Sequence, residues 1–358
     1  MSINSGSSKP RPLFLNHFSN LEAPRRTTKG NFLHSMDDLL FLVLSGVLCG
    51  ADDWETIILF GNNQIDWLKK YGGYKNGIPC SDTLKKVFSA IDPVQFNSCF
   101  MDWISGICTL ADKEVIAIDG KTIKRTKEDK LPHIVSAFAC ENGLTLGQVK
   151  INDKSNEITA IPELLKLLDI NGTTVTIVAM GCQRDIAKEI IAKDAAYILA
   201  IKGNQKTLEQ DILDTILLES TNETHTEDDI GHGRIERRTC SVYTKLSHIE
   251  DQKKWIGIKT IATIQTEVTN KTTGKISEEQ RIYISSLPPD AKNINNSVRK
   301  HWSVENNLHW TLDVLFGEDK SRKRRGNVAE NYNIVMKTVL ALLVKEKTLK
   351  KSKKKKEY

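Results

Sequence analysis

The feature that most constrains the fold of this chain is an alternation of strand and helix patterns between residues 115 and 218. It begins with Val115-Ile-Ala-Ile118, a short apolar run that ends at Asp119-Gly120 and is typical of a strand buried on both faces. Two β-rich segments follow around Asn142-Gly143, a strong hairpin signal. Helical and strand patterns then alternate over 156–168 (helix), 173–179 (strand), 184–193 (helix), 196–201 (strand) and 207–218 (helix). This order predicts an α/β domain.

The same order predicts the arrangement of the sheet. In a ribonuclease-H-like mixed sheet the first strand lies centrally, between the hairpin and the strand of residues 173–179, and the right-handed crossover rule permits this topology. A doubly wound nucleotide-binding fold is the competing arrangement, but it needs a glycine-rich turn after the first strand. The sequence there is Asp119-Gly120-Lys121-Thr122, which is not such a turn. We therefore predict the ribonuclease-H-like sheet.

The other segments predict the domain organisation. Ser, Gly and Pro residues at the start predict a flexible lead-in, and capping residues Ser35 and Asp38 mark the beginning of a helical region. Strand patterns at 260–267 and 280–286 indicate a β-rich insertion, and one long helix is expected over about 294–316, before a last helix at 330–347. The predicted domains are a lead-in (1–30), a small helical N-terminal domain (31–110), an α/β domain (111–345) with an insertion at about 222–285, and a basic tail (346–358).

Charge and cysteine content exclude several classes of protein. The net charge of +6 comes from the C-terminal end, because residues 345–358 hold eight lysines and two glutamates. Such a tail could attract nucleic acid or simply keep the chain soluble. The apolar run Leu39–Ala51 is too short to span a bilayer, and the start of the chain lacks the apolar core of a secretory signal. Seven singly placed cysteines indicate neither a zinc site nor a disulfide framework, so a cytoplasmic protein is expected.

Two acidic residues are candidates for chemistry. Asp119 follows a strand predicted to be central, where the ligand sites of α/β sheets gather, although an Asp before Gly can also simply begin a turn. Glu305 falls within an apolar helical stripe formed by Val298, Trp302, His309, Leu312 and Phe316. A carboxylate there is costly unless it is paired, for example with Arg299 or His301, or bound to a ligand. Trp302 and Trp310 are expected in the core.

Several motifs of this chain resemble the H-repeat-associated (ISAs-type) insertion-sequence transposases of the DDE superfamily. The resemblance runs in order from about residue 31 to 345. The N-terminal motifs are Gly50-Ala-Asp-Asp-Trp54 and Asn76-Gly-Ile-Pro79. Those of the α/β region are Ala117-Ile-Asp-Gly-Lys-Thr122, Lys154-Ser-Asn-Glu-Ile-Thr-Ala-Ile-Pro-Glu163, Ala179-Met-Gly-Cys-Gln183, Lys202-Gly-Asn-Gln205, Gly231-His-Gly-Arg-Ile-Glu-Arg237, Tyr283-Ile-Ser-Ser-Leu287 and His301-Trp-Ser-Val-Glu-Asn306.

The resemblance implies a metal-dependent active site. It makes Asp119 the first and Glu305 the last of three acids that hold two Mg²⁺ ions for DNA strand cleavage and transfer. The second acid of the family stands directly before Ala-Met-Gly-Cys-Gln, where this chain has Val178. Valine suits a buried strand end but has no lone pair for a metal. Asp185 lies on the following predicted helix and is a poor substitute. We therefore expect a folded, DNA-binding chain with impaired catalysis.

Further residues are expected to contact DNA. Lys202, Asn204 and Gln205 follow a strand at the active-site edge and could bind phosphate oxygens. Other basic candidates are Arg234, Arg237, Arg299 and His301, and the cluster Lys320 with Arg322–Arg325. The implied partners are double-stranded DNA carrying the element's terminal inverted repeats and a second copy of the chain. The alternatives are a non-catalytic DNA-binding or inhibitory relative, and a ribonuclease-H-like nuclease without transposition.

Overall fold

The computed structural model describes residues 11–24, 33–123, 133–151, 157–231, 233–323 and 325–348. The predicted basic tail therefore lies almost entirely outside the described residues, as do Lys154, Ser155 and Asn156. None of the helices in the described ranges combines the length and the apolar character that a membrane span needs.

A single mixed sheet of nine strands dominates the described part of the molecule, in the order β3-β2-β1-β4-β5-β9-β8-β7-β6. The strands are β1 (Val115–Thr122), β2 (His133–Ala139), β3 (Leu144–Ile151), β4 (Thr174–Ile177), β5 (Ala196–Ile201), β6 (Glu223–Gly231), β7 (Arg234–Tyr243), β8 (Thr260–Asn270) and β9 (Ile276–Ser285). As predicted, β1 lies between the hairpin strand β2, which is antiparallel to it, and the parallel strand β4. Gly143 in the hairpin turn has a φ of +68°, which glycine adopts without steric cost.

The β-rich segment is larger than predicted and continues the main sheet. Strand β9 pairs antiparallel with β5, and β8, β7 and β6 follow as antiparallel neighbours. The sequence indicated only β8 and β9. Strands β6 and the first half of β7 are mostly exposed, and β6 carries almost no apolar residue. Hydrophobic alternation, the signal that predicts strands, is therefore missing, and backbone hydrogen bonds to the neighbouring strand define these elements instead.

The helices before the sheet are α1 (Met36–Leu48), α2 (Trp54–Asn63), α3 (Ile65–Tyr71), α4 (Ser81–Ala90) and α5 (Pro93–Ile107). The predicted cap is confirmed, because the Ser35 side chain accepts a hydrogen bond from the backbone N–H of Asp38. The part of the predicted flexible lead-in that the structure describes is instead packed: Leu15 and Phe18 are buried, and the Phe18 ring makes an edge contact with Phe96. The prediction considered only the Ser, Gly and Pro content of this segment. The apolar residues between Pro12 and Pro24 explain the difference, because their burial orders the segment.

The remaining helices are α6 (Glu157–Leu167), α7 (Arg184–Ala192), α8 (Lys206–Leu218), α9 (Ala291–His301), α10 (Trp310–Val314) and α11 (Val328–Lys345). Helix α11 contacts α1, α4 and α5 on one side and β3 on the other. One hydrophobic core consequently extends from Leu15 to Leu343. The N-terminal helices thus share their core with the α/β part of the chain, although they are a separate segment in sequence.

Candidate metal centre

Asp119 lies where the buried half of β1 ends. The strand is fully buried from Val115 to Ile118 and half-buried from Asp119 onward. The Asp119 side chain is 21% exposed, and its pKa is raised to about 6, chiefly by burial. The negative charges of Glu157 and Glu305 raise this pKa further, whereas a hydrogen bond from the backbone of Gly120 opposes the shift. At neutral pH the carboxylate is mostly ionised and can accept a cation.

Glu305 and His309 lie on a π-helical turn, Glu305–His309, that joins α9 to α10. Its i→i+5 hydrogen bonds accommodate one extra residue in the helix, and such turns occur frequently at functional sites. His309 is buried, with 7% of its side chain exposed, whereas 63% of the Glu305 side chain is exposed. Burial lowers the pKa of His309 to about 3, so its imidazole is neutral and offers a lone pair at pH 7.

The burial pattern around the π-helical turn corrects two predictions made from helical spacing. Glu305 is exposed and is not part of a buried apolar stripe, and Trp302 and Trp310 are 46% and 52% exposed instead of lying in the core. The inward face of this segment instead passes through a different set of residues at helical spacing: Ile294, Val298, His301, Val304, Leu308 and Leu312. The predicted long helix of residues 294–316 is accordingly divided into α9, the π-helical turn and α10.

Asp119, Glu305 and His309 form the candidate metal centre: one ligand atom from each lies within 4.8 Å of the other two. Nδ1 of His309 is 3.4 Å from Oε2 of Glu305 and 3.7 Å from Oδ2 of Asp119. Two ligands of one small divalent cation are at most about 4.2 Å apart, given metal–ligand distances of about 2.1 Å. Both distances from His309 are within this limit, so the imidazole and each carboxylate are spaced as two ligands of one ion. Sequence analysis placed His309 in a packing stripe and missed it as a ligand, although its spacing of four residues from Glu305 was a usable signal.

Residue 178 is a neighbour of this centre. Strands β1 and β4 are parallel with Ile118 opposite Ile177, so Val178 follows β4 at the level of Asp119 on the adjacent strand. Neighbouring strands are about 4.8 Å apart. Val178 is half-buried and precedes a 3₁₀ turn, Ala179–Gly181. Asp185 lies in the first turn of α7 and does not belong to the cluster. A second ion would consequently find no carboxylate at position 178.

A buried pair of side chains lies against Gly120, the residue after Asp119. Nε2 of His133 is 2.5 Å from Oε1 of Glu157, and Nδ1 of His133 hydrogen-bonds the Thr122 hydroxyl at 2.8 Å. His133 and Glu157 are both almost fully buried. Gly120 makes room for this pair, because a Cβ atom on residue 120 would overlap both His133 and Glu157. The glycine after Asp119 is thus required by packing.

Lys121 connects the strand that carries Asp119 to α10, the helix that follows His309. Its ammonium lies 2.5 Å from Oδ1 of Asp313, on α10, and 2.5 Å from Oε2 of the buried Glu318. The other oxygen of Glu318 accepts a hydrogen bond from Asn333 of α11. Residues 119 and 121 are two apart on one strand and point to the same face of the sheet. This network fixes α10, and with it the π-helical turn, against β1.

Lys337, also on α11, is fully buried and donates to Ser136 Oγ at 2.8 Å and Gln148 Oε1 at 2.5 Å. Burial lowers its pKa to about 7. In the unfolded chain the amine has a pKa of roughly 10.4, so the unfolded state binds the extra proton between these values. The contribution of Lys337 to the free energy of unfolding should therefore rise from pH 7 to pH 10, so the difference between the wild type and Lys337→Met should change over this range.

Urea denaturation of the wild type, Lys337→Met and Lys345→Met at pH 7, 8.5 and 10 measures this effect. Lys345 is exposed on the same helix, so its substitution should leave the pH dependence unchanged. Parallel pH curves for the wild type and Lys337→Met would contradict the expectation.

His301 is buried, and its Nδ1 lies 2.9 Å from the Thr176 hydroxyl on β4. Burial lowers its pKa to about 4. In this structure the side chain is enclosed between α9 and the sheet and is not accessible to DNA. It instead fixes α9, and thus the start of the π-helical turn, to the strand that precedes Val178.

Lys202, Asn204 and Gln205 follow β5 at the same edge of the sheet. Asn204 Nδ2 donates to the Ala179 carbonyl at 2.5 Å, and Gln205 Nε2 donates to the Cys182 carbonyl at 2.9 Å. Lys202 is exposed. The two amides therefore hold the turn that follows Val178, whereas Lys202 is accessible to a phosphate.

The predicted basic residues of β7 and α9 lie among acidic partners. Arg237 makes two hydrogen bonds to Asp228, at 2.8 and 3.0 Å, and Arg234 lies 3.5 Å from Glu236. Arg299 pairs with Asp229 and is 3.7 Å from Glu236. These arginines are partly exposed, but their charge is compensated locally.

The basic cluster of the loop before α11 lines a cleft of about 1240 Å³ next to the N-terminal helices. Lys320, Arg322 and Arg325 line it together with acidic residues that include Asp53 and Asp82. Arg324 lies outside the described residues. The cleft is therefore of mixed charge.

Comparison with known proteins identifies the family. The Transposase DDE domain family matches residues 110–342, and the DDE_Tnp_1-associated family matches residues 15–104. The transposase-type protein YncI of Escherichia coli O157:H7 is 43% identical over 88% of this chain and 83% of its own length. The H repeat-associated transposase-type protein YhhI of Escherichia coli K12 is 38% identical over 94% of this chain and 91% of its own length.

A solved structure, a piggyBac transposase synaptic complex with hairpin DNA, is similar over 93% of this chain and 72% of that chain, at 11% identity and a TM-score of 0.41, which is too distant to carry an argument. The family assignment therefore depends on the relatives found by sequence. With a DDE domain over most of its length and relatives covered almost end to end, this chain belongs to the H-repeat-associated DDE transposases.

Proposed function

We propose that this chain recognises the ends of an insertion sequence and that its α/β part is a ribonuclease-H-like domain built for DNA strand cleavage and transfer. The order β3-β2-β1-β4-β5, with β1 between an antiparallel and a parallel neighbour, supports this fold assignment. The observation that carries the functional proposal is the convergence of Asp119 and Glu305. They are far apart in sequence, and their carboxylates reach the same buried imidazole.

The residues of the centre have separate roles in the proposed reaction. Asp119, Glu305 and His309 would hold a divalent cation, which supplies Lewis-acid stabilisation of charge on the reacting phosphate and its oxygens. Lys121 keeps α10 against β1, and His301 keeps α9 against β4. Together these contacts hold the two carboxylates within reach of one another before any ligand arrives, which reduces the reorganisation that binding requires.

Catalysis by this chain is proposed to be impaired, because Val178 stands where the family's second acid is expected. The two-Mg²⁺ arrangement needs a carboxylate there. Binding of double-stranded DNA at the terminal inverted repeats, as a homodimer, should persist, since it depends on other surfaces. We propose Lys202 and the partly exposed Arg234, Arg237 and Arg299 as phosphate contacts. The same valine supports the second candidate, a non-catalytic DNA-binding or inhibitory relative, acting in the bacterial cytoplasm at the nucleoid.

A cleavage assay tests the functional proposal. The substrate is a DNA fragment that carries the terminal inverted repeats of an insertion sequence of this family, and the protein carries Val178→Asp so that three acids are present. Metal-dependent nicking at the ends is expected, and it should be lost when Asp119→Asn or Glu305→Gln is added. Gel-shift binding to the same fragment should be kept by all variants. Nicking that persists without Asp119 and Glu305 would contradict the proposal, as would the absence of end-specific binding.

A further inference from the structure

The centre formed by Asp119, Glu305 and His309 differs from the expected site in the chemistry of its donors. Two are carboxylate oxygens and the third is an imidazole nitrogen. The imidazole is more than nine-tenths buried, and its Nδ1 faces both carboxylates at 3.4 and 3.7 Å. A buried ring aimed at two acids is a constrained donor, because burial leaves it little freedom to turn away.

The donor set favours a particular class of cation. Mg²⁺ takes oxygen ligands in near-ideal octahedral geometry and gives up its waters reluctantly, and it seldom binds imidazole. Divalent transition ions accept mixed nitrogen and oxygen ligands, and their affinity for a given site increases from Mn²⁺ to Co²⁺ and beyond. Since residue 178 is a valine, that position supplies no carboxylate to shift the balance back toward Mg²⁺.

We propose that this chain binds a single divalent transition ion, such as Mn²⁺ or Co²⁺, in preference to Mg²⁺, with His309 as the third protein ligand. The inference rests on the proposed function for its biological meaning, because it names the ion of the same site. The binding itself requires no DNA and no catalysis. It can therefore be measured on the chain as it is.

Metal binding by the metal-free full-length protein tests the inference. Co²⁺ titration followed by visible absorption, and thermal unfolding with equal concentrations of Mn²⁺, Co²⁺ or Mg²⁺, should show one ion per chain and at least about tenfold tighter binding of the transition ions. His309→Ala should weaken Mn²⁺ and Co²⁺ by at least about tenfold, since loss of even an indirect ligand partner has effects of that size. His225→Ala, on β6 at the far edge of the sheet, is the matched control and should change nothing.

Val178→Asp provides a second, independent measurement in case His309→Ala disturbs folding. An added carboxylate should strengthen Mg²⁺ binding more than Co²⁺ binding and so reduce the preference. Equal affinities for Mg²⁺ and Co²⁺ in the wild type, or a folded His309→Ala protein with unchanged Co²⁺ binding, would overturn the inference. If transition ions bind but Val178→Asp does not cleave element ends, only the proposed function would be contradicted. If Val178→Asp cleaves element ends but metal binding does not depend on His309, only this inference would be contradicted.

Discussion

Replacing Val178 by aspartate is expected to raise the rate of Mg²⁺-dependent end cleavage by about a hundredfold or more. The register of β1 with β4 places residue 178 beside Asp119, so a carboxylate there would complete a set of three acids. Metal ions stabilise the charge of such transition states by several kcal/mol, and each 1.36 kcal/mol corresponds to about a tenfold change in rate. Val178 is half-buried at a strand end, where an aspartate can be accommodated without a buried charge.

The measurement is a single-turnover cleavage assay with the wild type, Val178→Asp and the control Val178→Asn. Asparagine has the size of aspartate but lacks its charge, so it should recover little of the rate. Urea denaturation should give similar stabilities for the three proteins, which separates catalysis from folding. Equal cleavage rates for the wild type and Val178→Asp would show that residue 178 does not limit the reaction.

Gly120→Ala is expected to destabilise the fold by about 3 kcal/mol or more. The new methyl group would overlap Nε2 of His133 and Oε1 of Glu157, which are buried and face each other. Overpacking alone costs about 1–3 kcal/mol, and separating a buried charged or hydrogen-bonded pair adds further to it. Because Gly120 follows Asp119 directly, the same substitution should also weaken metal binding at the centre.

Equilibrium urea denaturation measures the loss, with Gly203→Ala as the matched control. A Cβ atom on residue 203 would meet nothing within 4 Å, so the control should stay close to the wild type. If Gly120→Ala were as stable as Gly203→Ala, the pair of His133 and Glu157 could move aside easily. The conclusion that packing requires glycine at position 120 would then be wrong.

Much of the fold and of the candidate site could be predicted from the sequence, because several of its signals are local. The apolar run before Asp119, the hairpin at Asn142-Gly143 and the alternation that follows each depend on neighbouring residues, and the structure confirms them. The motifs around Asp119 and Glu305 indicated the family because each is a contiguous run of residues that can be compared directly with the family pattern. The absence of the second acid at position 178 was also evident from the sequence. It is found by comparing one motif with the family pattern, which requires no coordinates.

The tertiary structure decided the features that local sequence signals do not encode. Strands β6 and β7 have little apolar pattern and form through hydrogen bonds to their neighbours, and residues 11–24 are ordered by contacts with a helix some eighty residues later. Packing also decided which residues of the segment 294–316 face the core, because Val304 and Leu308 are buried whereas Trp302 and Glu305 are exposed. The spacing of four residues between Glu305 and His309 is visible in the sequence, but the approach of His309 to Asp119 is not, because that distance depends on how α10 packs against β1.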